Sequence, residues 1–296
     1  MIAATDTVAL APGVEIRQEF LRDVVRGHEW PLNTSGAFVL ERSGRPLGEV
    51  AGELADAFSL AAPEARGDVL RFVWQLNHLA LVNVERTASS LRQLVEWLRL
   101  AARLAPAGAV PAPITRRRAI DTQTVAHALA STFKAVLPRV ALVTAIATVL
   151  AVHVAVNLGA GLVQAVLAGL ATGIGLGLHE AAHAALLRGA PSALVVRGAR
   201  TRVLHATVAP RRRTAVALGG PLAVAALGLA LILGGELSTS PAAAIAGCPL
   251  AAHALALTVV NSSRPAAPNS SDASRIPVSV NRGVNTSCPS WARCWA

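Results

Sequence analysis

Residues 140–179 contain no Asp, Glu, Lys or Arg, and the first charge after that stretch is Glu180, inside His179-Glu180-Ala181-Ala182-His183. A run of this kind exceeds the ~20 apolar residues that cross a bilayer. A carboxylate set at its end is costly unless it has a task. On a helix, positions i and i+4 share a face, so His179 and His183 can offer two imidazole nitrogens to one metal. Glu180 lies about 100° round from His179, within reach of a metal-bound water as a general base. Residues 167–178 are all Ala, Gly, Leu, Ile and Thr, which leaves no polar face of the kind a soluble helix presents. The pattern points to zinc-assisted hydrolysis inside a membrane span.

Composition agrees. Of 296 residues, 53% are hydrophobic and 15% charged, and the net charge is +10. The acidic residues crowd into the first hundred positions and Arg dominates afterwards. That asymmetry fits cationic loops at an anionic leaflet better than nucleic-acid binding, which would interleave Lys and Arg with aromatics. Aromatics are 3% of the chain and Tyr is absent, so no nucleic-acid partner is expected. Cys248, Cys288 and Cys294 make an odd count without zinc-ribbon spacing, and Cys248, in an apolar stretch, reads as a small core residue. The first ten residues lack a basic segment followed by an apolar one, so no signal peptide is expected.

Four apolar spans are predicted, at 140–157, 161–187, 214–233 and 241–260. The loops after the first and third carry no Lys or Arg. The loop after the second carries Arg188, Arg197, Arg200, Arg202 and Arg211 to Arg213. By the positive-inside rule both termini and that loop are cytosolic, in a multi-pass protein of the cytoplasmic membrane. His179 then stands about 18 residues, or ~27 Å, from the outer end of its span, just inside the cytosolic edge. His153 and His253 are isolated intramembrane histidines, read as buried and hydrogen-bonded rather than as ligands.

The chain divides into 1–85, 86–136, 137–262 and a polar tail, 263–296. In the first zone, 14–17 and 28–32 read as strands. Asn33-Thr34-Ser35-Gly36 caps a helix through 37–41, and helices are predicted over 46–58 and 64–79, followed by a strand at 80–84. About 85 residues can bury one modest core. Residues 87–104 are amphipathic and 105–113 form a Pro/Ala-rich linker. Arg116-Arg117-Arg118 reads as a topogenic charge cluster before the first span. The fold class expected is a small α+β winged-helix-like domain followed by an all-α polytopic membrane domain of about four transmembrane helices.

Two resemblances attach to these zones. Pro12-Gly13-Val14, Leu32-Asn33-Thr34-Ser35-Gly36-Ala37, residues 50–57 and residues 72–82 resemble a PqqD-type domain, a module that recognises leader peptides of ribosomally made, modified peptides. The resemblance implies that a leader pairs as an added strand near residues 28–32, beside the helix at 64–79. Residues 136–272 resemble the site-2 protease family, on His179-Glu180-x-x-His183 and on Gly219-Gly220-Pro221-Leu222-Ala223, taken to open the next helix. That resemblance implies Zn2+ held by His179, His183 and a later carboxylate, here Asp272, with Glu180 as catalytic base and Asn261 holding substrate. Residues 261–273 depart from the family pattern, with Ser-Ser-Arg after Asn261, wider spacing and Ala273 after Asp272. Asp272 is thus either a ligand or a solvated loop carboxylate, and the tail reads equally as divergence or as a changed reading frame.

The partners implied are a precursor or leader peptide and the lipid bilayer. The function expected is intramembrane cleavage of a leader-bearing precursor. The alternatives are regulated proteolysis of a membrane-bound regulator, and a membrane-anchored leader-binding protein whose protease site has decayed.

Overall fold

A computed structural model describes residues 2–87, 113–158, 161–197 and 200–237, with isolated positions between 92 and 103 and between 247 and 252. Asn261, Asp272, His253, Cys288, Cys294 and most of the fourth predicted span lie outside the described residues.

The amino-terminal segment, through Glu85, is an α+β domain. β1 (Thr7–Leu10) pairs antiparallel with β5 (Val82–Glu85), while β2 (Val14–Arg17), β3 (Phe20–Asp23) and β4 (His28–Pro31) form a meander in the order β2-β3-β4. The helices are α1 (Thr34–Glu41), α2 (Leu47–Phe58) and α3 (Ala62–His78). Asn33 caps α1 as its sequence predicts, its side chain accepting from the Gly36 amide at 2.9 Å. One apolar core joins the two sheets to the helices. It gathers Leu21 and Trp30 from the meander, Leu54 from α2, Phe72 and Leu76 from α3, and Val82 from β5. β1 and β3 were not predicted. β3 follows β2 through Gln18 and Glu19, neither a usual turn residue, although Gln18 takes a positive φ of 51° there.

The membrane half has three described helices long and apolar enough to cross a bilayer: Val125–Asn157, Leu162–Leu186 and Pro210–Gly234. They are the bodies of α4 (Val125–Leu158), α5 (Leu162–Leu186) and α6 (Pro210–Leu237). Large apolar side chains such as Leu142, Val149, Val163, Ile174, Leu222 and Leu229 face outward, as a lipid-facing surface requires. α5 is the central helix. Its small residues admit α4 on one side: a Cβ on Gly169 would stand 2.6 Å from the Thr148 Cα, and one on Gly177 2.6 Å from Phe133. On its other side Ala171 packs with Val224 of α6 and with Leu250.

Several predicted features are corrected. The first span begins at Val125, well before the first charge-free residue, so Lys134 and Arg139 are helical. Gly219-Gly220-Pro221 does not open a helix but lies inside α6. Cys248 is exposed rather than a core residue. His153 is exposed too, on the outside of α4, where the Asn157 amide donates to its carbonyl at 2.7 Å.

The largest correction concerns the arginines. The predicted cationic loop after the second span is a hairpin, β7 (Ser192–Arg197) and β8 (Arg200–His205). The triplet at 116–118 lies in a strand, β6 (Thr115–Ala119), paired antiparallel with β7. One face of this β6-β7-β8 sheet presents Leu194, Val196 and Val203 to Ala128, Val136 and Ala184 of the membrane helices. The other meets the amino-terminal domain. Arg117, far from being a solvated charge, is 1% exposed. It donates to Asp23 from both terminal guanidinium nitrogens, Nη1 and Nη2, at 2.6 and 2.8 Å.

Side-chain amides hold the same strand. Asn77 of α3 donates to the Thr115 carbonyl at 2.8 Å and accepts from the Thr115 amide at 2.9 Å. Asn83 of β5 does the same with Arg117, at 2.8 and 2.7 Å. Two asparagines thus stand in for a neighbouring strand and satisfy backbone that would otherwise be buried unpaired.

Candidate metal centre and its surroundings

His179, Glu180 and His183 sit on the last two turns of α5, where the apolar span meets the β-sheet. His179 and Glu180 are each 7% exposed. The His183 Nδ1–H donates to the Val216 carbonyl of α6 at 2.5 Å, which leaves its Nε2 with a lone pair. That nitrogen stands 3.1 Å from the Nε2 of His179, and the two rings meet edge to face at 89°. Two nitrogens bound tetrahedrally to one zinc at ~2.0–2.1 Å stand about 3.3–3.4 Å apart. The pair is therefore within a few tenths of an ångström of the spacing a shared metal needs. A backbone acceptor behind one imidazole is the usual outer partner of a metal-ligating histidine.

α6 approaches this pair through Gly220. A Cβ there would stand 2.6 Å from the His183 Nε2 and 2.7 Å from the His179 Cε1, so only glycine leaves the two rings room. Beside it, a Cβ on Gly219 would collide with the Leu186 side chain. The sequence identified the Gly-Gly-Pro string, but its service is close helix approach rather than helix initiation.

Glu180 has its own environment. Its Oε1 accepts a hydrogen bond from the Thr201 hydroxyl of β8. Arg139, on α4, lies close enough to attract it electrostatically. Neither contact was anticipated, because β8 was not predicted as a strand and Arg139 was placed before the first span. Among the described residues no group of three His, Cys, Asp or Glu side chains is gathered for a metal. The predicted third ligand, Asp272, and the predicted substrate residue, Asn261, fall outside those residues.

A second polar centre lies where the amino-terminal domain meets β6. Burial alone would raise the Asp23 carboxyl. The hydrogen bond from Arg117 and the charges of Arg26 and Arg117 outweigh it and hold the group below the ordinary carboxylate range. His78, at the end of α3, touches Arg197 of β7 at 2.8 Å. Burial, and then the Arg197 charge, hold its imidazole below the ordinary 6.5. The predicted leader-docking surface is partly legible: β4 is the edge of its sheet, and Trp74 on α3 is 46% exposed.

Comparison with known families bears on the amino-terminal domain. Residues 10–82 match the family model described as "Coenzyme PQQ synthesis protein D (PqqD)". Those residues form a PqqD-like domain, of a leader-peptide recognition family. No curated protein and no solved structure matches the chain.

Proposed function

We propose that this chain is a membrane-embedded zinc endopeptidase that cleaves a precursor peptide whose leader docks on its PqqD-like domain. The observation that carries the reading is the convergence of the His179 and His183 Nε2 atoms, 3.1 Å apart, with buried Glu180 beside them at the end of a membrane-length helix. The PqqD-like domain supports the substrate class, modified-peptide biosynthesis. The resemblance to site-2 proteases supplies the reaction class and Asp272 as the third ligand. The membrane would be the cytoplasmic membrane, with the hairpin and both termini on the cytosolic side.

The chain's own residues divide the work. His179 and His183 would hold zinc through Nε2, and Gly220 keeps their rings free to do so. Zinc, when bound, supplies Lewis acidity toward the scissile carbonyl and a more acidic water. Glu180 takes a proton from the attacking water as its oxygen bonds the carbonyl carbon. It returns that proton to the amide nitrogen as the C–N bond breaks. Leader docking raises the local concentration of the scissile segment, by linkage to the mM range at most.

A second reading is a membrane-anchored leader-binding protein without hydrolysis. It is favoured by the lack, among the described residues, of a third metal-binding side chain beside the two histidines.

The two part on one experiment: zinc per chain in detergent-purified protein, with cleavage of a leader-bearing and a leaderless peptide. Near-stoichiometric zinc that is lost in His179→Ala and in Asp272→Ala, with preferential cleavage of the leader-bearing peptide, is expected. A zinc-free, inactive chain that still binds leader would establish the second reading. Deleting residues 1–85 is a poor substitute for the leaderless peptide, because it would strip Asn77, Asn83 and Asp23 from β6 and uncover Arg117 without its partner.

A further inference from the structure

We propose that Thr201 is a positioning residue for Glu180, and that the β6-β7-β8 sheet ties the candidate base to the peptide-recognition domain. The proposal rests on the protease reading above and extends it to a residue outside the His-Glu-x-x-His motif.

Glu180 is nearly fully buried, on the same helix as the two imidazoles. A general base must present one carboxylate oxygen to the water and keep the other from competing for it. The Thr201 hydroxyl donates to Oε1, which fixes the carboxylate plane and leaves Oε2 for proton transfer. A carboxylate without such a partner would be free to rotate about its last bond and offer either oxygen.

Thr201 is itself held in register. It stands opposite Val196 of β7, which stands opposite Arg116 of β6. β6 is clamped on its other side by Asn77, by Asn83 and by the buried Arg117–Asp23 pair. A continuous hydrogen-bonded path therefore runs from α3 and β5 of the PqqD-like domain, across three strands, to the carboxylate of Glu180. Each link is a backbone ladder or a buried or partly buried polar contact, the kind of connection that holds a side chain in place.

The test uses the full-length protein in detergent micelles, with zinc per chain and the kcat and KM for a leader-bearing peptide as readouts. Thr201→Val keeps the shape of the side chain and removes the donor. It is expected to retain zinc and KM while kcat falls ~10–100-fold, the range typical of outer partners. Thr201→Ser, which restores the hydroxyl, is expected to recover most of the loss. Wild-type kcat in Thr201→Val would overturn the proposal, as would a Ser variant no better than Val, since packing and not the hydroxyl would then matter. Loss of zinc in Thr201→Val would overturn it as well, by showing a merely structural role. If instead the wild type holds no zinc, or cleaves no faster than Glu180→Gln, the protease reading fails and the role of Thr201 fails with it. Failure of the positioning role alone is told apart by an active wild type.

Discussion

Two clusters of buried charge lie in this protein, and they are built on opposite plans. Around Asp23 every oxygen is taken: Arg117 binds it twice, Arg26 pairs with it at 2.7 Å, and the backbone amides of Val25 and Arg26 donate to it. Around His179, Glu180 and His183 the described contacts are of another kind. One imidazole is fixed by a backbone carbonyl, the carboxylate by one hydroxyl, and two ring nitrogens face each other across a gap the size of a metal site. A carboxylate with both oxygens engaged can only hold parts together. A pair of imidazole nitrogens turned toward each other can take something in. Burial of charge is thus no guide to function until the arrangement of the partners is known.

The comparison breaks most sharply at Glu180. Glu180→Gln keeps the shape of the site and removes its base, and is expected to lower kcat by ~10²–10⁴ while zinc content and the unfolding of the PqqD-like domain stay unchanged. At the Asp23 cluster the reverse should hold. Arg117→Ala removes the two-pronged partner of buried Asp23 and leaves it Arg26 and two backbone amides, and is expected to cost about 3 kcal/mol of stability in chemical denaturation, with zinc retained in the fraction that remains folded. A variant at either cluster that moved both readouts equally would erase the distinction between them.

Smaller effects sharpen it. Gly220→Ala places a methyl group against both imidazoles, and zinc affinity should fall ~10–100-fold, read by competition with a chelator. Acidification separates the clusters further. The Asp23 carboxyl is held below its ordinary 3.8, so its contribution is present above that pH and is lost as pH falls below it. His78 is held below 6.5, so the unfolded chain takes up a proton that the folded chain resists. Stability should therefore begin a shallow decline as pH falls through about 6.5, and His78→Gln should remove that first phase only.

Much of this was legible in the chain. The spans at 161–187 and 214–233 differ from α5 and α6 by a few residues at their ends, because a membrane-length apolar run leaves few other structures open. The cap of α1 and the apolar stripes of α2 and α3 were readable for the same local reason. The β6-β7-β8 sheet was not. Its arginines look like loop charges, and strand pairing across 80 residues leaves no periodic trace in a five-residue segment. With it went Thr201, whose meeting with Glu180 depends on that pairing.

The sequence by itself determined which stretches are long and apolar enough to cross a bilayer, where the two imidazoles and the carboxylate fall on one helix, and that residues 10–82 carry the pattern of a peptide-recognition domain. Those properties are local: they follow from hydropathy, from the helical repeat and from short-range capping. Only the tertiary structure decided that Arg117 is a buried tie, that Gly220 makes room for two rings, and that Thr201 meets Glu180. Each of these is a contact between residues distant in the chain, and its energy exists only once the backbone has brought both partners together.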